Sequence, residues 1–252
     1  MGSTVDTTRT SRPNIVYLHS HDTGRSVQPY GHAVQTPHIQ RLAEEGVLFR
    51  NAFSAAPTCS PSSAGLLTGQ IPHSAGMLGL AHRGFALRDP SQHLARVLKP
   101  DGYTTVLVGI QHVTSGDPRT LGYDEVQSVD APSVDPVTPR AADWFDARVA
   151  GRDSAPFFLD VGFEESHRPF PPGDPAEARY LRPPAPVPDT PETWLDMAGF
   201  HAGVRALDRA VGVVFVSLYR GGLSNFPVLI CTTDHGLAFP GMRGRLVPTA
   251  PA

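Results

Sequence analysis

Residues 14–24 have the sequence Asn-Ile-Val-Tyr-Leu-His-Ser-His-Asp-Thr-Gly and decide the predicted fold. Five β-prone residues give way to a polar segment, which is the pattern of a buried strand followed by a loop. Apolar runs at 104–109, 156–163 and 227–233 also precede polar segments, and we predict a buried strand for each. A further strand is predicted over 47–53.

Segments with helical periodicity lie between these runs. They cover residues 36–46, 62–69, 93–98, 141–149 and 192–219, whereas the Pro-rich residues 170–191 are predicted as an extended surface loop. Strands that alternate with helices indicate an α/β fold, with a mostly parallel sheet and helices on both faces.

The composition excludes several classes of protein. The 252 residues suit one large or two small domains, and the net charge of -3 argues against a nucleic-acid scaffold. The two cysteines, Cys59 and Cys231, cannot form a disulfide framework. The first residues lack the apolar core of a signal peptide, and no run is long enough for a membrane span. We therefore expect a cytoplasmic protein with neither a nucleic-acid nor a membrane partner.

Ionisable side chains follow four of the predicted strands, at the point where each strand ends. They are His21 and Asp22, His112, His167, and Asp234 with His235. Because ligands of open α/β sheets bind beyond the carboxyl ends of the strands, this placement predicts one shared active site.

The carboxylates of Asp22 and Asp234, with His235 and His21, are candidate ligands of one divalent cation. Carboxylates suit Ca²⁺ or Mg²⁺, and two histidines would shift the preference toward Mn²⁺ or Zn²⁺. The alternative is that both aspartates only cap the helices or turns that follow them.

Three further side chains are candidates for catalysis. Cys59 precedes the predicted helix 62–69, where the helix dipole stabilises a thiolate or a bound anion; the alternative is a small buried cysteine in a turn. His112 and His167 are candidates for general acid and base because imidazole titrates near neutral pH, and the alternative for each is a structural histidine.

Taken in order, these motifs resemble the type I sulfatases of the alkaline-phosphatase-like superfamily, and most of all arylsulfatases and heparan N-sulfatases. The matching segments are residues 14–16, 21–24, 36–38, 42–49, 55–62, 66–69, 156–159 and 233–236. The resemblance runs from about residue 12 to about residue 243.

The resemblance implies an alkaline-phosphatase-like fold and a role for each candidate residue. A formylglycine-generating enzyme would convert Cys59 to formylglycine, whose hydrated aldehyde attacks the sulfur of a sulfate ester or sulfamate. His112 would deprotonate the second hydroxyl, His167 would protonate the leaving group, and Arg243 would bind sulfate. The implied metal ligands are His21, Asp22, Asp234 and His235, and the implied metal is Ca²⁺ ahead of Mg²⁺ or Mn²⁺. The substrate would be a small molecule or a saccharide that carries sulfate.

The chain also departs from the family pattern. Ser63 stands in place of the signature arginine, Ile110 in place of a lysine, and His21 in place of an aspartate. We predict a disordered tail over 1–12, an incomplete catalytic domain over 13–243 that lacks the C-terminal subdomain, and an off-pattern tail over 244–252. These departures predict impaired activity. The alternative functions are a phosphoester or phosphonate monoester hydrolase of the same superfamily, and a non-catalytic remnant that binds an anion or a metal.

Overall fold

The computed structural model describes residues 12–129, 133–220, 227–239 and 242. Five strands occur in this part of the chain: β1 (Ile15–Ser20), β2 (Thr104–Gly109), β3 (Glu125–Gln127), β4 (Phe157–Gly162) and β5 (Val228–Thr233). The α-helices are α1 (Pro37–Glu45), α2 (Cys59–Thr68), α3 (Pro72–Ala75), α4 (Leu94–Leu98), α5 (Val134–Ala150), α6 (Pro175–Ala178) and α7 (Pro191–Arg220).

All five strands pair in parallel, in the order β3-β2-β4-β1-β5. Strand β1 lies between β4 and β5, and Leu18 of β1 aligns with Val161 of β4 on one side and with Cys231 of β5 on the other. The predicted parallel sheet is therefore confirmed, and it brings the carboxyl ends of the strands to one edge.

Helices cover one face of the sheet with a large apolar core. The residues that point to this face alternate along β1, β2 and β4, as the twofold period of a strand requires. They are Val16, Leu18, Val106, Val108, Phe157, Leu159 and Val161. Trp144 and Phe145 of α5 and Val211 and Val214 of α7 pack against them, which fixes both helices to the sheet.

The opposite face carries a second core, to which α2, α3 and α4 contribute. Tyr17, Leu107 and Phe158 of the sheet pack there with Leu67 of α2 and Met77. Helices thus lie on both faces, as predicted, and α2 is held on the same face as the side chains of Tyr17 and Asp160.

Two predictions about strands are wrong. Residues 47–53 form a turn and loop in which Val47, Phe49 and Phe53 are exposed, because no strand among the residues that the structure describes pairs with their backbone. The strand predicted over 227–233 does form, but it lies at the edge of the sheet and is not buried: Val228 and Ile230 are exposed.

Other predicted boundaries move by a few residues. Helix α2 begins at Cys59 rather than residue 62, and α5 begins at Val134 rather than residue 141. The Pro-rich segment 170–191 is a surface loop that includes the short helix α6, which Glu177 ties to Arg205 of α7 through hydrogen bonds of 2.9 Å. Among the residues described, no helix has both the length and the apolar character that a bilayer span requires.

The predicted tails largely fall outside the described residues. Of residues 1–12 only Arg12 is described, and none of residues 244–252 is. The domain boundaries stay predictions.

Candidate active site

The loops that follow β1 and β5 meet at the carboxyl edge of the sheet. The amide of Asp22 donates a hydrogen bond of 2.9 Å to Oδ1 of Asp234, and both aspartates are buried. Asp22 has a φ of 55°, in the left-handed region that aspartate tolerates better than most residues. A Cβ on Gly24 would lie only 2.9 Å from Cα of Gly236, so the two loops need glycine to approach this closely.

Two histidines accompany the carboxylates. Nδ1 of His21 lies 3.1 Å from Oδ2 of Asp234. Nε2 of His235 lies 3.3 Å from Oδ1 of Asp22 and 3.5 Å from Oδ2 of Asp234. His21 therefore contacts the aspartate of the other loop, and His235 contacts the aspartates of both loops.

Cys59 reaches the same cluster from the first position of α2. Its side chain is buried, and Sγ lies 3.6 Å from Nε2 of His235. The hydroxyl of Ser62 donates to the backbone carbonyl of Asp234, which ties the first turn of α2 to the loop after β5. The thiol thus sits at a helix N-terminus beside both acidic groups.

His112 and His167 complete the group. The ring of His112 stands edge-on to that of His21 with centroids 4.0 Å apart, and Nε2 of His167 lies 3.9 Å from Oδ2 of Asp22. Burial, followed by repulsion from His21, lowers the pKa of His112 to about 2. His112 is therefore a neutral imidazole at physiological pH.

The residues fit a divalent cation. His21, Asp22, Cys59 and Asp234 each offer one ligand atom, and these atoms all lie within 4.8 Å of one another. Nε2 of His21 is buried and makes no hydrogen bond to the part of the chain that the structure describes. Burial alone would raise the pKa of Asp234, yet hydrogen bonding and attraction from His21, with attraction from His235, lower it, so the carboxylate is charged.

All but one of the predicted site residues therefore lie together, and the exception falls outside the described residues. His21, Asp22, Cys59, His112, His167, Asp234 and His235 lie together at the carboxyl edge of the sheet. Arg243 is not among the described residues.

A buried polar group beneath the site was not predicted. Nε2 of His19 lies 3.0 Å from Oδ1 of Asp160, and the hydroxyl of Tyr123 donates to Oδ2 of the same carboxylate at 2.5 Å. Asp160 is fully buried, and His19 is buried as well. The sequence signal that could have indicated this arrangement is Asp160 inside the apolar run 156–163, because a buried carboxylate needs polar partners.

A cavity of about 1050 Å³ opens beside the cluster. Asp234, His235 and Ser63 line one side, and the apolar residues Val47 and Phe53 line another. The cavity gives a ligand a route to the carboxylates from this side, and it was not predictable because it depends on the loop at 47–53.

Curated proteins similar to this chain are sulfatases. N-sulphoglucosamine sulphohydrolase of Homo sapiens is 31% identical over an alignment that covers 94% of this chain and 53% of that protein. An ulvan-active sulfatase of Formosa agariphila is 27% identical over 90% of this chain and 51% of its own length. The chain spans about half the length of the curated relatives it matches.

A solved structure and a family model agree with these relatives. The structure of BT4656 in complex with its substrate D-glucosamine-2-N,6-O-disulfate has a TM-score of 0.71 at 18% identity, over 90% of this chain and 66% of that one. The likeness confirms the alkaline-phosphatase-like α/β fold class. The sulfatase family model matches residues 13–250, and the chain therefore belongs to the sulfatase family.

Proposed function

We propose that this site hydrolyses sulfate esters or sulfamates. The observation that carries the proposal is the meeting of a buried thiol, two buried carboxylates and four histidines at one edge of the sheet. Membership of the sulfatase family supports the same reaction. The substrate we propose is a small molecule or a saccharide that carries sulfate, since one relative is named for the hydrolysis of N-sulphoglucosamine.

The metal ligands in this proposal are His21, Asp22, Asp234 and His235, with Ca²⁺ as the cation and Mg²⁺ or Mn²⁺ as alternatives. A bound cation supplies positive charge that stabilises the negative charge that develops on the sulfate oxygens. The two carboxylates offset that charge, and the contacts of 3.1 to 3.5 Å described above place His21 and His235 beside them.

Cys59 is the proposed precursor of the nucleophile. A formylglycine-generating enzyme would oxidise its CH₂SH group to an aldehyde with molecular oxygen as the oxidant, and the sulfur leaves as the C–S bond breaks. The aldehyde then adds water to become a diol. One hydroxyl attacks sulfur while the bond from sulfur to the leaving oxygen or nitrogen breaks. The diol then releases sulfate as the aldehyde re-forms, a step that the hydroxyl of an ordinary serine does not offer.

His167 and His112 move the protons of these two steps. His167, half-buried and 3.9 Å from Asp22, would donate a proton to the leaving group. His112, packed on His21 at the carboxyl edge of the sheet, would accept the proton of the remaining hydroxyl when sulfate leaves. Arg243 is the proposed second cation that binds sulfate.

Turnover of matched aryl substrates tests the proposal. Protein produced together with a formylglycine-generating enzyme is assayed with an aryl sulfate and with the corresponding aryl phosphate. We expect hydrolysis of the sulfate in preference to the phosphate, its loss in Cys59→Ala, and its retention in the control Cys231→Ser. Faster hydrolysis of the phosphate, or undiminished turnover by Cys59→Ala, would overturn it.

A further inference from the structure

We propose that unconverted Cys59 is itself a metal ligand, so that the chain with an unmodified thiol binds Zn²⁺ in preference to Ca²⁺. The inference rests on the proposed function in sharing its metal site, but it concerns the state of the chain before the thiol is converted. Residue 59 then decides which metal the site takes.

The position of the thiol supports direct ligation. Sγ of Cys59 is one of the four ligand atoms that lie within 4.8 Å of one another, together with atoms of His21, Asp22 and Asp234. Its side chain is only 4% exposed, and all four residues are buried. A second, independent observation points to a ligand here: Nε2 of His21, which is 1% exposed as a residue, makes no hydrogen bond to the described residues.

The spacing of the atoms suits a small tetrahedral ion. Zinc bonds of about 2.0–2.3 Å in a tetrahedron place neighbouring ligand atoms about 3.3–3.8 Å apart. Nε2 of His235 lies 3.6 Å from Sγ of Cys59, 3.3 Å from Oδ1 of Asp22 and 3.5 Å from Oδ2 of Asp234. These three separations from Nε2 of His235 fall within that range, so His235 lies where a further zinc ligand would be, beside the four atoms of the cluster.

The chemistry of the ligand atoms favours the same ion. Ca²⁺ takes six to eight oxygen ligands, at about 2.3–2.6 Å. This cluster supplies oxygen from Asp22 and Asp234, and its other atoms are imidazole nitrogen and a thiol sulfur. Imidazole and thiolate select zinc and similar transition metals over calcium. Two carboxylates and one thiolate would also more than neutralise the charge of a divalent ion.

Conversion of Cys59 would reverse this preference. When zinc binds, the S–H bond is replaced by a Zn–S bond and the proton passes to the buffer. Formylglycine has no sulfur, and its hydrated form offers oxygen, which is the ligand that Ca²⁺ prefers. The unconverted chain is therefore a zinc-binding form of the same site.

Cobalt substitution tests the inference with a readout other than activity. The protein is produced in a host without a formylglycine-generating enzyme, stripped with a chelator and titrated with Co²⁺, Zn²⁺ and Ca²⁺. We expect one Zn²⁺ per chain, tighter binding of Zn²⁺ than of Ca²⁺, and a near-ultraviolet charge-transfer band from thiolate to Co²⁺. Cys59→Ser should abolish the band and weaken Zn²⁺ binding at least about tenfold, the loss that even an outer-shell partner causes.

Cys231→Ser is the matched control, because Cys231 is the other cysteine of the chain and is exposed on β5. It should retain the band and the affinity for Zn²⁺. Circular dichroism checks that Cys59→Ser is folded, and Cys59→Ala serves as a second variant.

The inference is wrong if the wild type binds Co²⁺ without the band, if the band survives in a folded Cys59 variant, or if Ca²⁺ binds more tightly than Zn²⁺. Aryl sulfate turnover by converted protein is measured in parallel and separates failure of this inference from failure of the proposed function. Turnover without the Co²⁺ band contradicts the zinc inference alone. The band without turnover contradicts the proposed function alone.

Discussion

The amide of Asp22 donates a hydrogen bond of 2.9 Å to the carboxylate of Asp234, across 212 residues of sequence. The bond continues the pairing of β1 with β5, in which Ser20 aligns with Thr233. Because the two loops are locked to each other, both carboxylates keep fixed positions relative to the sheet. The geometry of the site is thus set by strand pairing.

The role of Asp234 as a metal ligand can be tested with Asp234→Asn. The asparagine keeps an oxygen that can accept from the amide of Asp22, but it removes the negative charge that attracts a cation. We expect metal content per chain, measured by mass spectrometry after dialysis, to fall to background. Asp146→Asn, a change on the exposed side of α5, should leave it unchanged. Equal metal content in Asp234→Asn and the wild type would exclude the ligand assignment.

Replacement of Ser63 tests whether the missing signature arginine limits maturation. Ser63 lies in the first turns of α2 and lines the cavity beside Asp234, so a longer side chain has room there. We expect Ser63→Arg to raise the share of the tryptic peptide around Cys59 whose mass is about 18 Da lower, as the aldehyde requires. Ser63→Gln, polar but uncharged, should give no rise. If the arginine variant also gives none, residue 63 is not what limits conversion.

The meeting of His21, Asp22, Asp234 and His235 at the carboxyl edge was predictable because these residues follow apolar strands. A run such as 14–18 indicates a buried strand, so the polar residues that follow it are expected at the carboxyl end of that strand. Parallel pairing of the strands then brings distant loops together. Helix α2 begins three residues before its predicted start, because Pro61 is favourable within a first helical turn and does not end the helix there.

Features that depend on distant contacts were not predictable. Residues 47–53 have the composition of a strand, but a strand needs a partner, and none lies beside them among the described residues. Strand β3 spans only Glu125–Gln127, too short for any periodicity to indicate it. The exposure of β5 follows from its place at the edge of the sheet, which composition does not encode.

Asp208 of α7 caps α1 from a distance, which gives a prediction for stability. Its carboxylate accepts from the amides of Ile39 at 2.8 Å and His38 at 3.3 Å, and the residue is buried. Asp208→Ala leaves both amides without this acceptor, so we expect the free energy of unfolding to fall by about 2 kcal/mol. Asp208→Asn should lose less, because its amide oxygen still accepts.

Urea denaturation measures both Asp208 variants against the control Asp143→Ala, an exposed position on α5 that should change stability by less than about 0.5 kcal/mol. A loss in Asp208→Ala no greater than that of the control would mean that the cap does not stabilise the fold.

His93 makes the stability of the fold depend on pH. The residue is fully buried, its Nδ1 accepts from the amide of Ala95 at 3.3 Å, and burial lowers its pKa from 6.5 to about 4. Between these two values the unfolded chain binds a proton that the folded chain does not, so stability is complete above pH 6.5 and falls as the pH decreases toward 4. This difference corresponds to a loss of about 3 kcal/mol.

His93→Asn isolates that effect, because asparagine keeps an oxygen that can accept from Ala95 and does not titrate. Urea denaturation at pH 7.5 and at pH 4 should show that the wild type loses about 3 kcal/mol more than the variant over this interval. His82→Asn, at an exposed position, should follow the wild type. If the wild type and His93→Asn lose the same free energy on acidification, the buried imidazole is not the source of the acid sensitivity.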